Sequence, residues 1–247
     1  MKRYRAADGS VRVWFDPAEI DSLAEDVLQR AGLMPTLQAP VVDVEALVEG
    51  YLEADLDQYA PLPREVLGVT EFRSGLPPQV LINRELTEAA FDAPTPAPVA
   101  RGRWRATVAH EAAHILLHRV LAEPDFSQTF LLELAPSGVS LPAQRLFRCL
   151  RREVAFGGGS DWREVQANRC MAALLMPRSV FLRAVARAKA EVGLFPEEAL
   201  RSEGLDGVVR RLARRFEVSR QAARIRLEEL GLVTAPGQRT LYTERPW

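Results

Sequence analysis

The chain has 247 residues, of which 47% are hydrophobic, and its formal net charge at pH 7 is -1. These values are typical of a globular protein with a full core, and the nearly balanced charge argues against a chain that binds polyanions over its whole surface. Two cysteines, Cys149 and Cys170, are too few for a disulfide framework, and the first residues lack the apolar core of a signal peptide. No apolar run reaches the roughly 20 residues that a bilayer span needs. The sequence therefore predicts a cytoplasmic protein without a membrane segment.

The N-terminal part predicts two helices and a small sheet. Residues 16–32 combine a candidate N-cap, a proline at the first helical position, apolar residues at helical spacing and a terminal glycine. A shorter helix is predicted over 42–52, and β-branched residues predict strands in 65–73 and 78–85. The proline-rich residues 92–103 predict a surface loop without regular structure that leads into the next helix.

The middle of the chain contains two further helical patterns. Residues 103–121 have helical apolar spacing and are rich in Ala, Ile, Leu and Val, which predicts a mostly buried helix. In residues 119–160, apolar patches are interrupted by Pro and Gly, and helical pieces are predicted there. Residues 161–177 predict another helix, with Asp161 as its N-cap and a proline just beyond its end.

All three histidines of the chain, His110, His114 and His118, lie in the segment TVAHEAAHILLHR. HEAAH fits the pattern H-E-x-x-H, in which histidines four residues apart lie on one helix face and reach one ion at the roughly 2.0 to 2.1 Å that zinc requires. Glu111 lies about 100° round the helix, where it can take a proton from a water that zinc acidifies to a pKa near 7. The pattern predicts a zinc site with Glu111 as the catalytic residue, and Mn²⁺ and Fe²⁺ remain alternative metals.

A third ligand has to come from another segment, because eight residues of helix rise about 12 Å and His118 is too far from His110 to share its ion. His118 is predicted to have a structural role, or to contact a metal-ligating residue or the substrate. Glu164, in the first turn of the helix over 161–177, would complete a His, His, Glu site. Asn168 follows it one turn later and is also predicted to contact a metal-ligating residue or the substrate. The alternative for Glu164 is a favourable charge at a helix N-terminus.

The segments HEAAHILLH and EVQANRCMAALLMP together resemble the ImmA/IrrE family of zinc metallopeptidases, and the resemblance covers most of residues 15–180. It implies that Glu164 is the third zinc ligand beside His110 and His114, and that Glu111 is the catalytic acid and base. It also implies a narrow substrate, a transcriptional repressor of the helix-turn-helix type, whose cleavage switches on stress or mobile-element genes.

Residues 207–233 contain two helical patterns joined by a short turn, which is a helix-turn-helix signature. Arg220, Gln221 and Arg224 on the second helix are placed to approach base edges of DNA. Three acidic residues in the same stretch dilute its charge, which favours instead a helical module whose arginines keep it soluble or dock another protein.

The sequence thus predicts an α+β, mainly helical protein. A gluzincin-like metallopeptidase domain with a small sheet over 1–192 is followed by a helix-turn-helix-like domain over 193–235 and a tail over 236–247. The predicted function is a zinc endopeptidase that cleaves a repressor, for which DNA is a weak further partner. Two alternatives are a DNA-binding regulator with a structural or vestigial zinc site and, by analogy with family domains, a toxin–antitoxin component.

Overall fold

The computed structural model describes residues 2–5, 11–73, 75–93, 98–122, 144–150, 161–195, 200 and 202–233. Over these residues the fold is α+β and mainly helical, which confirms the predicted class. None of the helices in this part of the chain has the length and hydrophobicity of a membrane span. The α-helices are α1 Pro17–Arg30, α2 Arg84–Thr87, α3 Pro98–Ala122, α4 Trp162–Leu175, α5 Arg178–Glu191, α6 Ser202–Phe216 and α7 Arg220–Glu229, and π-helical turns lie at Ala46–Tyr51 and Glu88–Asp92.

Helix α1 forms where its sequence signals predict it. The backbone N–H of the N-cap Asp16 donates to Glu19 Oε2 at 2.8 Å, and Gly32 follows the helix end with φ +69°. Ile20 and Leu28 on its buried face belong to the main core. The shorter helix predicted over 42–52 is also confirmed, although most of it is wound as a π-helix.

The strands are β1 Lys2–Arg5, β2 Val11–Trp14, β3 Asp55–Ala60, β4 Val66–Arg73, β5 Gln79–Asn83 and β6 Gln144–Leu150. Four of them form a sheet in the order β3-β5-β4-β6, which covers one side of α3. Strands β4 and β5 correspond to the two predicted strands, and they pair antiparallel. β5 also pairs with β3 in parallel, and β4 pairs with β6 antiparallel. A separate antiparallel pair is formed by β1 and β2.

Two predictions for the segments around α3 are wrong where the structure describes them. Residues 98–103 belong to α3 and not to a loop, because Pro98 stands at the first helical position, where its missing N–H costs nothing. Residues 144–150, predicted to include helix, form strand β6. Their backbone completes the edge of β4, a tertiary pairing that a short apolar run does not reveal. Residues 123–143 and 151–160 lie outside the described residues.

Helices α3 and α4 pack against each other at the centre of the molecule. Small buried side chains, among them Ala109, Ala113 and Ala167, line both helices and allow their backbones to come close. This close approach brings the polar residues of the two helices within reach of one another.

The C-terminal helices share the core with the rest of the described chain. Leu212 and Phe216 on α6 and Leu227 on α7 belong to the same cluster of buried apolar residues as Leu28 on α1. The Phe216 ring lies 5.4 Å from that of Phe181 on α5. The division into domains at residues 192 and 193 stays a prediction.

Candidate metal centre

Helix α3 presents His110 and His114 on one face, and both side chains are fully buried. Their Nε2 atoms lie 3.1 Å apart. Two imidazole nitrogens at this separation in a buried site have room to share one ion at zinc-ligand distances.

Glu164 joins them from the first turn of α4. Its Oε2 lies 3.1 Å from His110 Nε2, and its Oε1 lies 3.4 Å from His114 Nε2. Burial would raise the pKa of Glu164, but hydrogen bonds with both histidines outweigh burial and lower the pKa well below its usual value, so the carboxyl is ionised. The three ligand atoms lie within 4.8 Å of one another, and this donor set of two imidazoles and one carboxylate is typical of catalytic zinc.

Asn168 fixes the orientation of the first histidine. His110 Nδ1 lies 3.1 Å from Asn168 Oδ1. An amide oxygen only accepts hydrogen bonds, so Nδ1 carries a proton and Nε2 is the nitrogen left to bind a metal ion. Asn168 thus holds the tautomer that a metal ligand needs.

His118 contacts the second histidine. His114 Nδ1 and His118 Nδ1 lie 3.0 Å apart, and the Trp162 ring meets the His118 ring edge-on at 5.6 Å. Burial, together with the nearby His114, lowers the pKa of His118 to about 3, so its ring is neutral. A neutral His118 can accept the Nδ1 proton of His114, which leaves the Nε2 lone pair of His114 for the ion. A role of His118 beside a metal-ligating residue or the substrate stays a prediction.

Glu111 lies beside the three ligands and is completely buried. The hydroxyl of Thr70 on β4 donates to Glu111 Oε2 at 2.6 Å. Burial raises the pKa of Glu111 to about 7, and the opposing effects of the His110 charge and the Thr70 hydrogen bond are smaller. Glu111 Oε1 has no hydrogen-bond partner among the described residues. One carboxylate oxygen is therefore anchored, and the other is buried without a hydrogen bond among the described residues.

Gly68 and Thr70 on β4 are residues of this site that the sequence analysis missed. A Cβ on Gly68 would lie 2.6 Å from Glu111 Oε1 and 2.8 Å from Thr107 Cγ2, so only glycine lets the strand pass this close to α3. A glycine inside a predicted strand is a known sign of close backbone approach and could have marked the position. Nothing in the sequence distinguishes Thr70 from other strand threonines.

We expect Gly68→Ala to displace the Glu111 carboxylate. The added methyl group meets Glu111 and Thr107 at less than van der Waals distance, and overpacking of this kind typically costs about 1–3 kcal/mol. Urea denaturation should show this loss as a lower free energy of unfolding. Gly50→Ala, whose Cβ meets nothing within 4 Å, is the matched control. Equal stability of the two variants would show that β4 is not held against α3 as described.

We expect Asn168→Ala to weaken metal binding by about 10–100-fold, the usual effect of removing a partner of a metal-bound histidine. Competition with a chromophoric chelator measures the change. Val165→Ala, on the exposed side of the same helix, should leave the affinity unchanged. Unchanged affinity in Asn168→Ala would contradict its contact with His110.

The residues predicted to approach DNA lie on α7 and not among the candidate metal ligands. Arg220, Gln221 and Arg224 are exposed. Arg224 pairs with Glu228 at 3.4 Å. Glu217 just before this helix has a left-handed backbone, φ +52°, which makes the turn between α6 and α7. DNA contact by these residues stays a prediction.

A comparison with known families finds one model, Peptidase_M78 or IrrE N-terminal-like domain, over residues 159–228. The match includes Glu164 and Asn168 on α4 and continues through α5 and α6 into α7, but it does not extend to the histidines on α3. It supports the ImmA/IrrE family and a peptidase of that type. No curated protein matches the chain.

Proposed function

We propose that the protein is a metal-dependent endopeptidase with a gluzincin-like zinc site, and that it cleaves a transcriptional repressor of the helix-turn-helix type in the cytoplasm. The observation that carries this proposal is the convergence of His110, His114 and Glu164 beside the buried carboxylate of Glu111. The peptidase family match supports the same reaction class. Cleavage of such a repressor would switch on stress or mobile-element genes.

Each residue of the centre has a separate task in peptide hydrolysis. When bound, the metal ion supplies a Lewis acid that polarises the scissile carbonyl and acidifies a water molecule. Glu111 takes a proton from the attacking water and returns it to the leaving amine. Burial raises the pKa of Glu111 in the metal-free chain, which opposes the effect of a bound cation and favours a carboxyl group that can both accept and give a proton. Thr70 holds one oxygen of Glu111 and so keeps the carboxylate in place.

The test is incubation of the purified, metal-loaded protein with the helix-turn-helix repressor encoded beside it, read by intact mass. A single cut that disappears with a chelator and returns with zinc, but not with magnesium, is the expected result. Manganese and iron(II) should be compared in the same assay, because affinity order alone does not decide the metal in the cell. An intact repressor in the presence of protein shown to contain metal would refute the proposed substrate.

One observation favours a second candidate, a DNA-binding regulator whose metal is structural. Helices α6 and α7 are joined by a short turn, and α7 exposes Arg220, Gln221 and Arg224. A gel-shift assay with DNA from upstream of its own gene tests it, with the Arg220→Ala/Arg224→Ala variant as control. A structural metal needs no acid and base beside it, so the anchored Glu111 favours the peptidase.

A further inference from the structure

A cavity of about 370 Å³ lies beside α3 and α4, beyond the metal-ligating residues. On α3 the cavity wall includes Ala106, one turn before His110, and on α4 it includes Ala172, one turn after Asn168. Leu67 also lines the cavity and precedes Gly68, which touches Glu111. The cavity therefore lies on the same helix faces and beside the same strand as the candidate catalytic site.

The inner wall of this cavity is apolar. Met171, Leu175 and Met176 from the end of α4 and Val218 from the turn before α7 line it. The volume falls in the range of small-ligand sites and is large enough for an apolar amino-acid side chain. Arg103, Ser219 and Gln221 supply the polar part of its lining.

The cavity opens towards a second, wider one of about 910 Å³, which shares Val99, Gly102, Val218 and Ser219 with it. The charged side chains in the lining of the wider cavity are four arginines, which we call the basic rim, and one glutamate. These residues are Arg101, Arg210, Arg214, Arg220 and Glu217.

Three of the rim arginines form no salt bridge within the described residues, and the fourth, Arg101, lies over the Phe91 ring with its Cζ 5.7 Å from the ring centroid. In the part of the chain that the structure describes, no carboxylate lies within salt-bridge distance of Arg210, Arg214 or Arg220, whereas the neighbouring Arg211 and Arg215 pair with Glu191. Between the rim and the apolar cavity stands Val99, an apolar side chain that is 71% exposed. An apolar cavity behind unpaired arginines is complementary to an apolar side chain flanked by acids.

We infer that these two cavities form a docking site for the protein substrate. The site binds an acidic segment of the substrate, and one apolar anchor residue of that segment enters the apolar cavity. The inference rests on the proposed peptidase function and adds to it a recognition site outside the bond that is cut. Nucleic acid would use the arginines alone and would leave the apolar cavity without a role. A polypeptide segment accounts for both features.

The test uses the full chain carrying Glu111→Gln, so that binding is measured without cleavage. The probe is a short fluorescein-labelled peptide in which a central Leu is flanked on both sides by Asp and Glu, and its counterpart carries Lys at every acidic position. Fluorescence anisotropy should show at least about tenfold tighter binding of the acidic peptide. Arg210→Glu/Arg214→Glu should abolish this preference, whereas Arg183→Glu, an exposed charge reversal on α5 away from both cavities, should keep it. Thermal melting checks that both variants remain folded.

The methionines locate the bound probe. The chain has four, Met1, Met34, Met171 and Met176, of which the last two line the apolar cavity. With ¹³C-methyl methionine labelling, the acidic peptide should shift the NMR signals of Met171 and Met176 and leave that of Met34 unchanged. Loss of these shifts when the central Leu is replaced by Ser would identify the anchor.

Failure to bind the acidic peptide, or equal binding of both peptides, overturns the inference. Binding of a short DNA duplex through Arg210 and Arg214, without a shift of the two methionine signals, also overturns the inference. That result would assign the surface to nucleic acid. Cleavage of the repressor without probe binding would refute the docking site alone. Specific probe binding by a protein that cuts no substrate would refute the peptidase alone.

Discussion

Glu111→Gln is expected to lower the rate of peptide hydrolysis by about 10²–10⁴-fold, the usual contribution of a general acid and base, and to leave the metal bound. The amide has the shape of the carboxylate, and its oxygen can still accept the hydrogen bond from Thr70, so the packing around it is preserved. What it loses is the ability to take a proton from water. The values of kcat and KM on the cleaved repressor, with metal content by mass spectrometry, give the result.

A matched control lies on β4, the strand whose Thr70 bonds Glu111. Glu71 follows Thr70 on β4 and, by the alternation of a strand, points to the opposite face of the sheet. Glu71→Gln removes the same charge from the same region and should leave kcat unchanged. A Glu111→Gln variant that keeps wild-type kcat would exclude Glu111 as the proton carrier, whereas loss of metal would make it a structural partner of the ligands.

Two residues at the centre of the site were predictable because local spacing encodes them. His110 and His114 need only a helix to share a face. Glu164 was one of two open interpretations of a first-turn carboxylate, and only the family resemblance implied that it is a ligand. Thr70 was not predictable, since it meets Glu111 across 41 residues of sequence and only the fold brings β4 to α3. His118 differs, because it follows His114 by four residues and the spacing alone places both side chains on one helix face.

The helices and strands also divide into those with local sequence signals and those that depend on tertiary pairing. Helices α1 and α4 have N-cap residues and helical periodicity, which act within a few residues, and the sequence predicts both. β3 and β6 lie at the two edges of the sheet and were missed. β3 has a mostly polar, half-exposed sequence, and it becomes a strand through its parallel pairing with β5. Edge strands of this kind depend on tertiary pairing more than on intrinsic propensity.

Arg226 on α7 makes contacts that the helix-turn-helix pattern does not predict. No role for Arg226 was predicted from the sequence, yet it is one of the largest fully buried side chains in the described residues. Its Nη2 donates to Asp21 Oδ1 on α1 at 2.6 Å, and its Nε donates to the carbonyl of Met176 at the end of α4 at 3.2 Å. One guanidinium thus joins α7 to two helices of the metal-binding part.

Asp21→Ala is therefore expected to destabilise the fold by about 3 kcal/mol, the lower end of the range for breaking a buried ion pair by removing one partner. The lower end applies because Glu229 Oε2, at 3.8 Å from Arg226 Nη1, still compensates part of the stranded charge. Arg226→Met should cost less, because it keeps an apolar side chain in the buried space and leaves Asp21, whose side chain is 13% exposed, within reach of water. Urea denaturation of both variants and of the double variant measures the coupling between them.

Asp26→Ala, on the exposed face of the same helix, provides the control and should change stability by less than about 0.5 kcal/mol. A loss below about 1 kcal/mol in Asp21→Ala would mean that apolar packing alone holds α7 in place. The distinction bears on recognition as well as stability, because Gln221 and Ala222 on α7 line the apolar cavity behind the basic rim. If the Asp21–Arg226 pair fixes α7, Asp21→Ala should also weaken binding of the acidic peptide, although neither residue lines the cavity.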